Sequence, residues 1–225
     1  MTHRPDLKKI ELSYNLIKKH WAEIDDQLHH KNIGRKDTPF DEVIMNNMLL
    51  AWEYLDFFIR KKDYDLFSNR GGVDILEINH RVHYGKNHEL RCEYKKAMEA
   101  TTEKFTRQIK PIRNYYKKKS RKDHVSANKI AAEIYIAILG MPQLFIEGNH
   151  RSGSIIASWI NLANNGPPFV LTLDNAVSYF QPAAEIKKFN KKSTWRSWTK
   201  LPKYKKEFKH FWKNNCDMQF IREDA

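Results

Sequence analysis

The chain has 225 residues, 41% of them hydrophobic and 12% aromatic, which is enough apolar material for one substantial core and excludes a disordered polyelectrolyte. Its formal net charge of +13 and isoelectric point near 9.6 put a positive field over the surface, open to a nucleotide, nucleic acid, an anionic membrane or an acidic protein. Two cysteines far apart, Cys92 and Cys216, provide no disulfide framework. The start, MTHRPDLKKIELS, lacks an apolar signal core and no run of about 18 apolar residues occurs, so a reducing compartment, the cytoplasm, is expected, with non-classical secretion leaving no mark.

From the N-terminus, Leu7, Ile10, Tyr14, Ile17, Trp21, Ile24 and Leu28 form one apolar stripe at helical spacing. KNIGRKDTP is a connection, after which Thr38 is the expected N-cap of a core helix with Pro39 at its first position. FSNRGG breaks the pattern, and VDILEINHRVHYG resumes a helix that ends at Gly85. A long charged stretch follows with Tyr94, Met98, Phe105, Ile109, Ile112 and Tyr116 in helical register, kinked or divided at Pro111. KKKSRK at 117–122 is a basic turn, and Asp123 or Ser126 caps the buried helix ANKIAAEIYIAILG.

Beyond a polar loop, SIIASWINLANNG reads as an apolar helix stopped at 164–166, and PPFVLT as extended. Asp174 is the expected cap of the next helix, with Pro182 interrupting it. The tail from Asn190 is basic and aromatic and is expected to lie on the surface as a helix, with Trp195, Trp198 and Trp212 in core or interface contacts. The fold class expected is all-α, with short strands possible near FSNRGG or PPFVLT. Residues 1–35 read as an N-terminal extension, 36–190 as the core and 191–225 as the tail.

The loop between the two apolar helices, QLFIEGNHRSGS at 143–154, is dense in groups that hold phosphate and metal. Phe145 or Ile146 should anchor it. The amides that open the following helix favour an anion, Gly148 permits close backbone approach, and Arg151 offers a fork to phosphate oxygen. Glu147 offers a hard oxygen to Mg2+, and Asn149 a donor. The same spacing also fits a polar joint in which Asn149 or Ser152 caps the helix and Arg151 pairs with Glu147. No Walker A loop is present.

QLFIEGNHRSGS resembles the active-site signature of the Fic (Fido) family, H-x-F-x-[DE]-G-N-[GK]-R-x-x-[RG], with Phe145, Glu147, Gly148, Asn149 and Arg151 in register. ANKIAAEIYIAILGMP resembles the buried helix before that motif, and ILEINHRVHYG at 75–85 the family's upstream helix, so the likeness runs from about 60 to 170. The resemblance implies a helical bundle with a short β-hairpin flap, and transfer of AMP from ATP to a hydroxyl of a target protein with Mg2+. It makes Glu147 the metal ligand, Arg151 the phosphate clamp, Asn149 the holder of the α-phosphate, Phe145 the core anchor and the amides around Gly148 the anion nest.

Three positions depart from that pattern. Gln143 stands where the family has its basic His and takes no proton at neutral pH. His150 replaces Gly or Lys, and Ser154 stands at the second Arg position, removing a phosphate contact. His150 is the nearest substitute base; His80 and His83 lie in the upstream helix and His124 before the buried one. The family's inhibitory-helix pattern has no match, since Ser193 and Thr194 lack a Glu at the required offset. The sequence therefore suggests binding of a Mg-nucleotide or related phosphate ligand, with altered or reduced transfer. A catalytically inactive interaction module is the alternative, and a basic nucleic-acid-binding helical protein, through 117–122 or the tail, a second one. His3, His20, His29 and His30 have no cysteines beside them for a zinc site.

Overall fold

The computed structural model describes residues 3–33, 39–61, 63–122, 124–188 and 201–222. Ten α-helices lie among them and no strand does. In chain order they are α1 (Leu7–Lys19), α2 (Trp21–His30), α3 (Glu42–Ile59), α4 (Gly71–Tyr84), α5 (His88–Glu93), α6 (Lys95–Ser120), α7 (Ala127–Leu139), α8 (Asn149–Leu162), α9 (Leu173–Lys187) and α10 (Leu201–Asn215). The fold is all-α, as expected. No helix among the described residues is long and apolar enough to cross a membrane.

The expected stripe over 7–28 is real, but the helix carrying it breaks at His20. Asp6 caps α1 by accepting from the amides of Lys8 and Lys9, and Ile10, Tyr14 and Ile17 are buried. α2 restarts at Trp21 to bury Ile24 and Leu28. Thr38 lies outside the described residues. The cap of α3 is Asp41, whose carboxylate accepts from the amide of Ile44, so Pro39 precedes the helix.

The glycines of FSNRGG belong to α4 and open it, and Gly85 ends it with φ +57. Pro111 does not divide α6: the helix runs on because Ile109, Ile112 and Tyr116 continue one buried face across the proline. Asp123 lies outside the described residues, and Ser126 is the N-cap residue of α7 without a side-chain bond. α9 is capped by Thr172, which forms a reciprocal box with Asn175. Asp174 therefore sits in the first turn, and Pro182 is absorbed within the helix.

The hairpin flap is not found among the described residues. FSNRGG is a turn running into α4, and PPFVLT makes one isolated bridge, Phe169 to Cys216. α7 and α8 form the centre, where Gly153 lets Tyr135 and Ile138 approach closely. The first and last described segments share that core: Pro5 bridges Ile221, Arg4 pairs with Asp56 of α3 at 2.7 Å, and Trp212 of α10 is fully buried among aromatic rings. Trp195, Trp198, Ser193 and Thr194 lie outside the described residues.

Candidate functional site

The loop between α7 and α8 is held from four directions. From within the core, Leu144 donates its amide to Ile138 O at 3.0 Å, and Phe145 is fully buried against Phe105, the rings nearly parallel at 6.0 Å. Phe145 is thus the anchor, and Ile146 is exposed. From α6, Lys104 Nζ donates to Phe145 O at 2.8 Å.

From α4, Asn79 Nδ2 donates to Glu147 O at 3.0 Å and to Ser152 Oγ at 2.9 Å. From α8, Asn149 Oδ1 accepts from Phe145 N at 2.9 Å while its Nδ2 donates to Phe145 O at 3.0 Å and to Gln143 Oε1 at 3.4 Å. The side chain of Asn149 therefore shapes the loop from behind rather than standing free to hold a phosphate.

These bonds deliver Gly148 at φ +70 as the N-cap of α8. A side chain there would meet His83 Nε2 at 2.3 Å and Asn79 Nδ2 at 3.1 Å, so the position requires glycine twice over. No side chain caps α8, and its first turn points at a cavity of about 530 Å³. All seven residues expected at the site line that cavity: Gln143, Glu147, Gly148, Asn149, His150, Arg151 and Ser154. The lining also includes the apolar side chains of Trp21, Phe40, Ile44 and Phe180, together with Lys187.

Arg151 sits in a revealing environment. Among the described residues no carboxylate lies within ion-pair distance of it, and its one hydrogen bond is a long 3.5 Å contact from Nη1 to Val82 O. The pairing with Glu147 is therefore not made. Burial lowers its pKa from the ordinary value, while the more distant charges of Glu147 and Asp41 oppose that shift. A charge kept in this state at a helix N-terminus favours an anion that would neutralise it. Glu147 makes no ion pair among the described residues and is exposed on the cavity rim.

His150 is tied into a ring of hydrogen bonds. Tyr135 OH donates to Tyr179 OH at 2.7 Å, and Tyr179 OH donates to His150 O at 3.2 Å. With the Tyr135 proton so used, His150 Nδ1 must donate to Tyr135 OH, 2.9 Å away, leaving Nε2 as the nitrogen with the lone pair. Burial first, then Lys187 and Arg151, lowers the His150 pKa to about 3. A nitrogen with so little proton affinity is a weak general base at neutral pH.

Ser154 donates its hydroxyl to Arg151 O at 2.8 Å, within its own helix. His83 lies behind the loop, its Nε2 buried without a partner and its pKa lowered to about 4, first by burial and then by Arg151. His124 is exposed before α7. Among the described residues no group of three or more His, Cys, Asp or Glu side chains is placed to hold a metal ion.

Asn79, Lys104, Tyr135, Tyr179 and Lys187 are site neighbours that the loop motif does not reveal. Only Asn79 carried a signal, standing in the upstream segment singled out for other reasons. The rest reach the site from distant helices.

No protein-family model matches this chain, nor does any curated protein or solved structure.

Proposed function

We propose that the cavity at the start of α8 binds the phosphates of a Mg-nucleotide or a related phosphate ligand, in a protein of the Fic type with attenuated transfer. The observation that carries this reading is Arg151, a largely buried cation without a carboxylate partner among the described residues, lining a cavity of about 530 Å³ beside an uncapped helix N-terminus. The amides of Asn149, His150 and Arg151 form the nest around the phosphates. The apolar lining of Trp21, Phe40 and Phe180 takes the flat part of the ligand.

The donor set fits Mg2+ only when the ligand brings it. Glu147 supplies one carboxylate, and phosphate oxygens and water fill the remaining positions. Bound there, the ion would neutralise phosphate charge. In transfer of AMP, a protein hydroxyl would attack the α-phosphorus and the bond to the departing pyrophosphate would break. The attacking hydroxyl must lose its proton, and Gln143 cannot accept it. His150 Nε2 accepts it poorly, so transfer is slow.

Transfer from labelled ATP with Mg2+ onto the protein itself and onto a lysate tests the attenuation. Wild type is expected to label weakly or not at all, and Gln143→His to label at least about a hundredfold faster, within the range a positioned base contributes. Silence in both, with no binding of Mg-ATP, would overturn the reading and leave a Fic-like module that only holds protein partners.

A further inference from the structure

A second concave site lies between the start of α4 and the middle of α6, with a volume of about 520 Å³. Its polar lining is Asn69, Thr106, Lys110, Arg113, Asn114 and Lys117, over a floor that includes the buried Phe105 and Ile109. Lys110, Arg113 and Lys117 fall at successive steps of three and four residues, hence on one face of the helix. None of the three has a carboxylate within ion-pair distance among the described residues.

The positive charge extends beyond the groove. From Arg107 to Lys122 the chain carries Lys or Arg at 107, 110, 113, 117, 118, 119, 121 and 122, and no Asp or Glu. At a rise of about 1.5 Å per residue, the stretch from Arg107 to Lys117 spans about 15 Å. Like charges at i,i+3 and i,i+4 destabilise a helix, so the uninterrupted run works against the fold that carries it.

Arg113 is held in place within this row. Its Nη1 donates to Asn69 Oδ1 at 3.0 Å, and its Nη2 lies so near Gly72 that a side chain there would meet it at 2.9 Å. Its Nε is buried and has no partner. A guanidinium fixed by a neutral amide, without a carboxylate, keeps its full charge for an outside anion.

We propose that this groove and the α6 row bind the phosphate backbone of a nucleic-acid duplex. A membrane surface fits less well, because an interfacial helix inserts its apolar face, and the apolar face of α6 (Phe105, Ile109, Ile112 and Tyr116) is already buried in the core. The face left to solvent is cationic and polar, which suits contact with phosphates. Among the described residues no exposed Trp or Phe accompanies the row to stack on bases. Binding is therefore to the backbone and indifferent to sequence. This proposal uses no residue of the nucleotide cavity and stands apart from the reading above.

The test is the affinity of the full-length protein for a mixed-sequence 20-base-pair duplex, measured by fluorescence anisotropy as salt is varied. Three proteins are compared: wild type, Lys110→Gln/Arg113→Gln/Lys117→Gln, and a control with Lys203→Gln/Lys205→Gln/Lys206→Gln on α10. Wild type should bind with a steep log–log salt slope. The α6 variant should lose about three units of that slope and at least about tenfold in affinity near 0.1 M salt, with the control much closer to wild type.

Since Arg113→Gln removes a bond to Asn69, Lys110→Gln/Lys117→Gln serves as a second variant and should lose about two units of slope. Equal losses in the α6 and α10 variants would mean undirected attraction to net charge and would overturn the proposal. So would binding to vesicles containing phosphatidylserine without binding to the duplex.

Discussion

Gly148 is where the loop's demands converge, and its replacement is the most economical test of the local geometry. A left-handed backbone costs an L-residue about 1–2 kcal/mol, and a Cβ would in addition strike His83 Nε2 at 2.3 Å. Gly148→Ala should therefore lower unfolding stability by about 2 kcal/mol or more and weaken ligand binding together with it. A variant as stable as wild type by urea unfolding would show that the loop does not hold this conformation.

The two histidines beside the loop predict a pH dependence. Burial lowers the His150 pKa from 6.5 to about 3 and that of His83 to about 4. Below pH 6.5 the unfolded chain thus binds more protons than the folded one, so stability is complete above that pH and declines as pH falls toward 4. The urea midpoint should drop between pH 7 and pH 4.5, and His150→Gln should reduce the drop. An equal drop in the variant would place the effect elsewhere.

Among the helices, α4 has the clearest division of labour. Its Asn79 amide joins it to the loop carbonyl of Glu147 and to Ser152 of α8. Asn79→Ala leaves these buried groups without their donor and should cost about 1–3 kcal/mol. Faster hydrogen exchange should then appear at 144–152 rather than throughout the molecule; uniform acceleration would argue against a local clamp.

The same helices show what could be read in advance. Apolar spacing located α3, α4, α7 and α8, because long buried faces leave a periodic record. Pro111 and Pro182 misled as signals because packing on the core outweighs the loss of one backbone bond in each helix. The break at His20 left no apolar trace, since the stripe continues through Trp21, and Asp41 was eclipsed by the Thr-Pro pair before it. Within the site, the contiguous loop residues could be read together. The ring through Tyr135, Tyr179 and His150 could not, because its members meet only after α7, α8 and α9 pack.

Across the whole molecule, the last described α-helix lies on the core and sends Phe208 and Trp212 into it. Trp212 is fully buried against Phe169, Tyr135 and Phe208. Trp212→Ala should cost about 3–5 kcal/mol. Trp212→Phe should cost far less, because the indole Nε1 is already buried without a partner. Comparable losses in both variants would show that the indole nitrogen is satisfied in solution. Charge is distributed differently from the core: the cations gather along α6 and α10, while Arg151 is set beside the loop and has no carboxylate partner among the described residues.

That isolation makes Arg151 the most direct point of attack on the central claim, that the cavity holds a phosphate ligand. The decisive measurement is calorimetric titration of Mg-ATP into wild type and Arg151→Gln, with adenosine as the ligand lacking phosphate. The account predicts saturable binding to wild type, weakened at least about tenfold by Arg151→Gln as a charged hydrogen bond is lost, and little difference between the two proteins for adenosine. Equal affinity of both proteins for Mg-ATP, or none in either, would contradict it.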